Sequence, residues 1–201
     1  MTVRTAVMGA GSWGTVFAKL LCDAGGEVTL WGRRAKVVDA INERRENTEY
    51  LPGTVLPEGL RATTDPAEAL AGADFVALAV PAQTLRENLK VWTPLLPPES
   101  VLVSLMKGVE LGTCRRMSEV ICEVAGVPDD RVAVFCGPNL AREVAAGQPA
   151  AAVAACVDEE RARRLQAATM TPYFRVYTST DVIGCDRQTA QAEGQAVIQP
   201  T

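Results

Sequence analysis

The 201-residue chain contains no histidine. That absence removes Ser-His-Asp and Cys-His nucleophile pairs, HExxH zinc sites and imidazole acid–base chemistry, so any proton transfer has to use Lys, Asp, Glu, Tyr or Cys. Lysine is nearly as scarce, occurring only at positions 19, 36, 90 and 107. Long apolar runs are missing as well: the windows 70–82 and 144–157 are broken by Asp74 and Pro81 and by Gln148 and Pro149, so no membrane span is expected. There is no basic excess either. A net charge of −4 and a pI near 5.0 give no electrostatic footing for a nucleic acid partner. The cysteines at 22, 114, 122, 136, 156 and 185 contain no CxxC spacing and mostly sit in apolar runs, which predicts small core residues, no metal site and a reducing, cytoplasmic compartment. The N-terminus lacks a charged segment followed by a long apolar one, so no signal peptide is expected.

What is present suffices for a large α/β domain. With 48% apolar and 22% charged residues, a chain of this length buries roughly 70% of its unfolded surface. Short apolar or β-branched runs at 4–8, 27–31, 75–80, 101–105, 132–136, 150–156 and 174–177 alternate with segments of helical period. This alternation predicts βαβ units and a Rossmann-like, doubly wound, mostly parallel sheet. Helices are expected over 12–24, 83–96, 115–124 and 159–168, and a short one after Asp65-Pro66, where Asp caps and Pro occupies the first turn. Pro52, Gly53, Pro57 and Gly59 make 46–60 a loop. The stretch 186–201 holds four of the seven glutamines and shows neither a strand nor a strong amphipathic helix, so it reads as a polar tail following a domain of residues 1–185.

Gly9-Ala10-Gly11-Ser12-Trp13-Gly14 is a GxGxxG placed directly after the first expected strand and opening the first helix, the context that a dinucleotide-binding turn requires. Gly9 permits the tight turn, Gly11 lets the backbone approach a pyrophosphate, and Gly14 lets helix and strand pack closely. The helix N-terminus adds free N–H groups and about half a positive charge. Trp13 reads as an apolar wall beside the ligand. After the second strand, where an acidic residue would receive the ribose 2′-OH of NAD, stand Arg33 and Arg34. Arginine there accommodates the 2′-phosphate of NADP, and a guanidinium also stacks on adenine. NADP is therefore admitted, NAD stays open, and the plainer alternative is two solvated arginines opening a helix.

Ligands of open α/β sheets lie outside the carboxyl ends of the strands, which directs attention to 81–83, Lys107-Gly108 and Gly137-Pro138-Asn139. Lys107 is the one lysine expected at that edge. Its ammonium can fix a substrate phosphate or polarise a carbonyl, with Gly108 keeping the backbone clear; the alternative is a solvated loop lysine. Gly137 to Glu143 predicts a turn into a short helix with Asn139 as its cap.

Seven ordered motifs then resemble one family, the soluble NAD(P)-dependent glycerol-3-phosphate dehydrogenases of bacteria. They are GAGSWGTVFA at 9–18, LPGTVLPEGLRATTD at 51–65, AVPAQTLR at 79–86, MKGVELGT at 106–113, MSEV at 117–120, GPNLAREVAAGQPAAAV at 137–153 and YFRVYTSTDVIG at 173–184. The resemblance implies reversible hydride transfer between NAD(P)H and dihydroxyacetone phosphate, giving sn-glycerol 3-phosphate for phospholipid synthesis; with Arg33 and Arg34 after the second strand, NADPH is the expected preference. It implies cofactor contacts from Ser12, Trp13, Arg33, Arg34, Lys107 and Ala141 beside the glycines, and substrate contacts from Lys107, Gly137 and Asn139. Asn139 stands where the family often has Ser or Thr. A homodimer is compatible with the resemblance. The departure comes after 184, where the family continues to a Lys-Asn pair whose lysine moves the proton, and then to a helical domain that closes over the substrate phosphate. This sequence has no lysine after Lys107. The expectation is a truncated or frame-shifted C-terminus with no identifiable catalytic lysine, and the alternative function is a stand-alone NAD(P)-binding module without catalysis.

Overall fold

The computed structural model describes residues 2–197, with side chains as far as Thr189. Strand β1 (Arg4–Met8) leads into α1 (Ser12–Asp23), β2 (Glu27–Trp31), α2 (Ala35–Arg44), β3 (Arg61–Thr63), α3 (Pro66–Leu70) and β4 (Phe75–Leu78). The chain continues through α4 (Leu85–Trp92), β5 (Val101–Ser104), α5 (Met117–Ala125), β6 (Val132–Cys136), α6 (Ala141–Ala145), β7 (Ala150–Cys156), α7 (Glu159–Thr169), β8 (Phe174–Ser179) and α8 (Val182–Val197). The eight strands form one sheet in the order β3-β2-β1-β4-β5-β6-β7-β8, parallel except between β6 and β7. This is the doubly wound, mostly parallel architecture. Its order reverses between β1 and β4, so the carboxyl ends of these two strands open a crevice at the switch point.

Strands β4, β5 and β6 are buried at every residue because helices cover both faces, which is why they read as continuous apolar runs rather than alternating ones. On one face Phe17 and Leu21 of α1, Ile41 of α2 and Leu165 of α7 pack with Phe135 and Phe174. On the other, Leu85, Leu89 and Trp92 of α4 meet Met117, Val120 and Ile121 of α5. Two aromatic contacts, Phe17 edge-on to Phe135 at 5.0 Å and Phe135 stacked with Phe174 at 6.2 Å, concentrate the few rings at the centre. Local signals set the boundaries. The Asp65 side chain accepts from the Ala67 N–H at 2.9 Å with Pro66 in the first turn of α3, and the Asp158 carboxylate accepts from Glu160 and Arg161 at the start of α7.

Besides α2, which is absent from the expected helices, the structure departs from the sequence reading of elements as follows. The single helix expected over 83–96 is α4 flanked by 3-10 turns, the second of which, Thr93–Leu95, contains Pro94. Strand β3 is an edge element too short to leave a periodic pattern. The expectation of neither strand nor helix in 186–201 is corrected: α8 runs through Val197, while 198–201 lie outside the described residues. Its inward positions 182, 185, 186 and 189 follow helical spacing, but two of them are Asp186 and Thr189, so an apolar-stripe search misses them. Cys185 packs with Val134, Cys136 and Ala155. No described helix is long and apolar enough to cross a membrane.

Asp186, 2% exposed, accepts a hydrogen bond from the Ser118 hydroxyl at 2.5 Å, and its carboxylate lies 3.8 Å from Arg116. Burial raises its pKa, outweighing the Ser118 hydrogen bond and Arg116. The folded state therefore holds that proton more tightly than the unfolded chain. Its contribution to stability is complete below the unfolded value and is lost as pH rises through the folded one. Asp186→Asn should remove that loss and raise the thermal midpoint at pH 7, each 1 kcal/mol regained counting for roughly 2–4 °C in a domain of this size. The gap should close as the pH is lowered into the ordinary carboxylate range. Melting curves in which the variant is the less stable at pH 7 would show instead that the carboxylate anchors α8 through Arg116.

Candidate functional site

The turn from β1 to α1 separates its three glycines by what each needs. Gly9, at φ +136°, passes so close to the backbone carbonyl of Ala79 that any side chain would collide with it. A Cβ on Gly14 would collide with the Gly9 carbonyl. Gly11 is different: its backbone is ordinary, and a Cβ there would meet nothing within 4 Å. The fold demands glycine at 9 and 14 but not at 11. Gly11 is also the N-cap residue of α1 and offers no side chain to the first-turn N–H groups, leaving them directed at open space.

Two clefts meet at this point. The larger, about 490 Å³, is lined by Ser12, Trp13, Lys107, Gly137, Asn139 and Ala141 among others; the smaller, about 320 Å³, is lined by Gly9, Arg33, Arg34 and Tyr50. Gly11, Ala79, Val80 and Pro81 border both, so the clefts form one continuous groove across the β1–β4 switch point, with the helix N-terminus at its middle. All the site residues expected from the sequence line this groove. One local expectation is corrected: the cap of α6 is Leu140 rather than Asn139, and no side chain bonds its first turn. The Asn139 amide instead lies beside Gly137, where a Cβ would come within 2.8 Å of the Ala151 backbone carbonyl and 2.6 Å of that amide, so the fixed carbonyl is what calls for glycine.

Lys107 is exposed, and among the described residues it forms no ion pair. The loop that carries it is fixed from α4 and the turn before it. The Gln83 amide donates to the Val109 carbonyl at 2.8 Å and accepts from the Leu111 N–H at 2.9 Å. Arg86 forks onto Glu110 at 2.8 and 3.0 Å, which together with Thr113 holds that carboxyl down at about 2, so the clamp keeps its charge through neutral pH. Gly108, at φ +96°, supplies the left-handed step beside Lys107.

Sequence reasoning missed the contribution of the 46–60 loop. Asn47, 1% exposed, donates to the Ala10 carbonyl at 3.0 Å and to the Thr15 hydroxyl at 2.8 Å, tying the loop to the glycine turn. The Ser12 hydroxyl donates to the Tyr50 carbonyl at 2.7 Å. Arg34 lies over the Tyr50 ring, hydrogen-bonds its hydroxyl, and pairs with Glu49 at 2.6 Å, which raises the guanidinium pKa. The tyrosine before Pro52-Gly53 was the only available signal, and nothing in its spacing assigns it to the groove. Gln188 and Thr189 of α8 also line the larger cleft.

The family described as "NAD-dependent glycerol-3-phosphate dehydrogenase N-terminus" matches residues 4–162. A glycerol-3-phosphate dehydrogenase [NAD(P)+] of Streptomyces avermitilis is 65% identical over 184 residues, covering 92% of this chain and 55% of that protein. Glycerol-3-phosphate dehydrogenase [NAD(P)+] 2 of Mycobacterium tuberculosis is 57% identical over 198 residues, covering 96% of this chain and 59% of its own length. The crystal structure of glycerol-3-phosphate dehydrogenase from Coxiella burnetii superposes with a TM-score of 0.83 at 33% identity, covering 91% of this chain and 55% of that one. The chain thus spans little more than half the length of the relatives it matches.

Proposed function

Because the chain belongs to the NAD-dependent glycerol-3-phosphate dehydrogenase family, we propose that it binds NAD(P)H in the groove over β1 and β4 and serves the reversible interconversion of dihydroxyacetone phosphate and sn-glycerol 3-phosphate, a step toward glycerophospholipids. The observation that carries this reading is Gly11. It is the one glycine of the turn that the protein itself does not need, and it sits where the two clefts join at an uncapped helix N-terminus. A pyrophosphate bridging the two halves of a dinucleotide fits that place.

A nicotinamide held in the groove would supply the hydride. The chain's own residues bind, orient and neutralise charge. First-turn N–H groups of α1 hold the pyrophosphate, Trp13 walls the larger cleft, Ala141 borders it, and Arg33 and Arg34 face the adenosine side. Lys107 is the cationic partner for the substrate's phosphate or its carbonyl oxygen, with Gly137 and Asn139 opposite. We assign the dinucleotide-binding unit to residues 1–189, past the expected boundary at 185, because Asp186 packs on α5 and Gln188 and Thr189 line the larger cleft, and we assign the setting to the cytoplasm. Fluorescence titration with NADPH and NADH tests the reading; no binding of either would remove it.

NADPH is the preferred cofactor in this reading, since only it offers a 2′-phosphate to the arginines. Replacing both Arg33 and Arg34 with Ala should weaken NADPH by about tenfold or more, with a smaller effect on NADH, because charge-assisted hydrogen bonds contribute about 1.5–3 kcal/mol each. Equal losses for the two cofactors would assign the arginines to adenine stacking alone.

A further inference from the structure

The smaller cleft presents two guanidinium groups that are not equivalent. Arg34 is engaged on both terminal nitrogens, by the Glu49 carboxylate at 2.6 Å and by the Tyr50 hydroxyl, and its central carbon lies over the Tyr50 ring, 5.1 Å from the centroid. Arg33 is exposed and has no carboxylate partner among the described residues. Glu49 itself does not line the cleft. It reaches Arg34 from the 46–60 loop, which Asn47 and Ser12 fasten to the glycine turn. Where a dinucleotide fold selecting NAD carries an acid at the end of the second strand, this chain has two arginines there and brings an acid in from elsewhere in the sequence to neutralise one of them.

We propose that Glu49 sets the balance between NADPH and NADH by competing with the 2′-phosphate for Arg34. While the pair is closed, Arg34 stays beside Tyr50 on the wall of the cleft, where a guanidinium can still stack on adenine, a contact that both cofactors share. A 2′-phosphate has to take the guanidinium edge from Glu49 and bear the nearby carboxylate's repulsion. NADH makes neither demand. The Arg34–Glu49 pair is about half exposed, with side chains 43% and 45% accessible, so the competition is a tuning effect rather than a block.

This inference rests on the reading of the groove as a dinucleotide site, and a binding experiment on the full 201-residue chain separates the two. Glu49→Gln should tighten NADPH by about two- to fivefold at low salt, the range of an exposed ion pair, and leave NADH unchanged within error. The gain should shrink as salt is raised. On an Arg34→Ala background Glu49→Gln should change nothing, because the competitor then has nothing to occupy; a general effect on the loop would persist there. Unchanged NADPH affinity in Glu49→Gln, equal shifts for both cofactors, or a gain that survives Arg34→Ala overturns the role of Glu49. Failure of the unmodified chain to bind either cofactor overturns the groove assignment instead.

Discussion

Gly11→Val is expected to weaken NAD(P)H binding by about a hundredfold or more while leaving the fold intact. A Cβ at position 11 would meet nothing within 4 Å, so the protein's own packing does not require glycine there. What it displaces is the ligand's approach to the first-turn N–H groups, and charge-assisted hydrogen bonds of about 1.5–3 kcal/mol each are lost with it. Valine is a poorer N-cap than glycine, so a thermal midpoint lower by roughly 2–4 °C is expected, corresponding to about 1 kcal/mol. Gly14→Ala should behave in the opposite way. Its Cβ meets the Gly9 carbonyl, so stability falls sharply and binding follows only because the turn is disturbed. Titration and melting of the two variants side by side check both statements. Equal cofactor affinity in Gly11→Val and the unmodified chain would mean that the pyrophosphate lies elsewhere.

The polypeptide of residues 1–201 is expected to bind NADPH yet reduce dihydroxyacetone phosphate about 10²–10⁴-fold more slowly than a full-length relative, the usual span of general acid catalysis. Reducing a ketone leaves an alkoxide that must be protonated. With no histidine in the sequence and one lysine in the groove, Lys107 is the charged candidate for the acid, and it would then hold the substrate's charge and deliver the proton as well. Its loop is pinned by Gln83 and Arg86, which suits a fixed electrostatic contact better than a group that must move toward the alkoxide. Steady-state oxidation of NADPH with dihydroxyacetone phosphate decides the matter. Turnover matching a full-length relative, lost in Lys107→Ala, would make Lys107 the acid and refute the expectation.

Much of the site was legible because short-range chemistry wrote it. A strand, a glycine turn and a helix within residues 4–23 announce a phosphate site wherever that unit folds, and Lys107 stood out because lysine is so rare. What stayed hidden depends on contacts between distant residues. Asn47 reaches Thr15 across 32 positions, and Asp186 reaches Ser118 across 68; both are buried polar side chains satisfied only by partners that the fold supplies. The α8 face was missed for the same reason. A search for apolar periodicity cannot see a helix face that buries an aspartate and a threonine.

The sequence by itself determined the βαβ rhythm, the doubly wound class and the position of the glycine turn, because these follow from apolar periodicity and from the steric freedom of glycine. Only the tertiary structure decided which glycine is free of the protein's own packing and which arginine is already paired. It also decided that the loop before Leu60 belongs to the groove. Distances between side chains far apart in the chain are set by how the sheet and its helices close on one another, and no local pattern carries them.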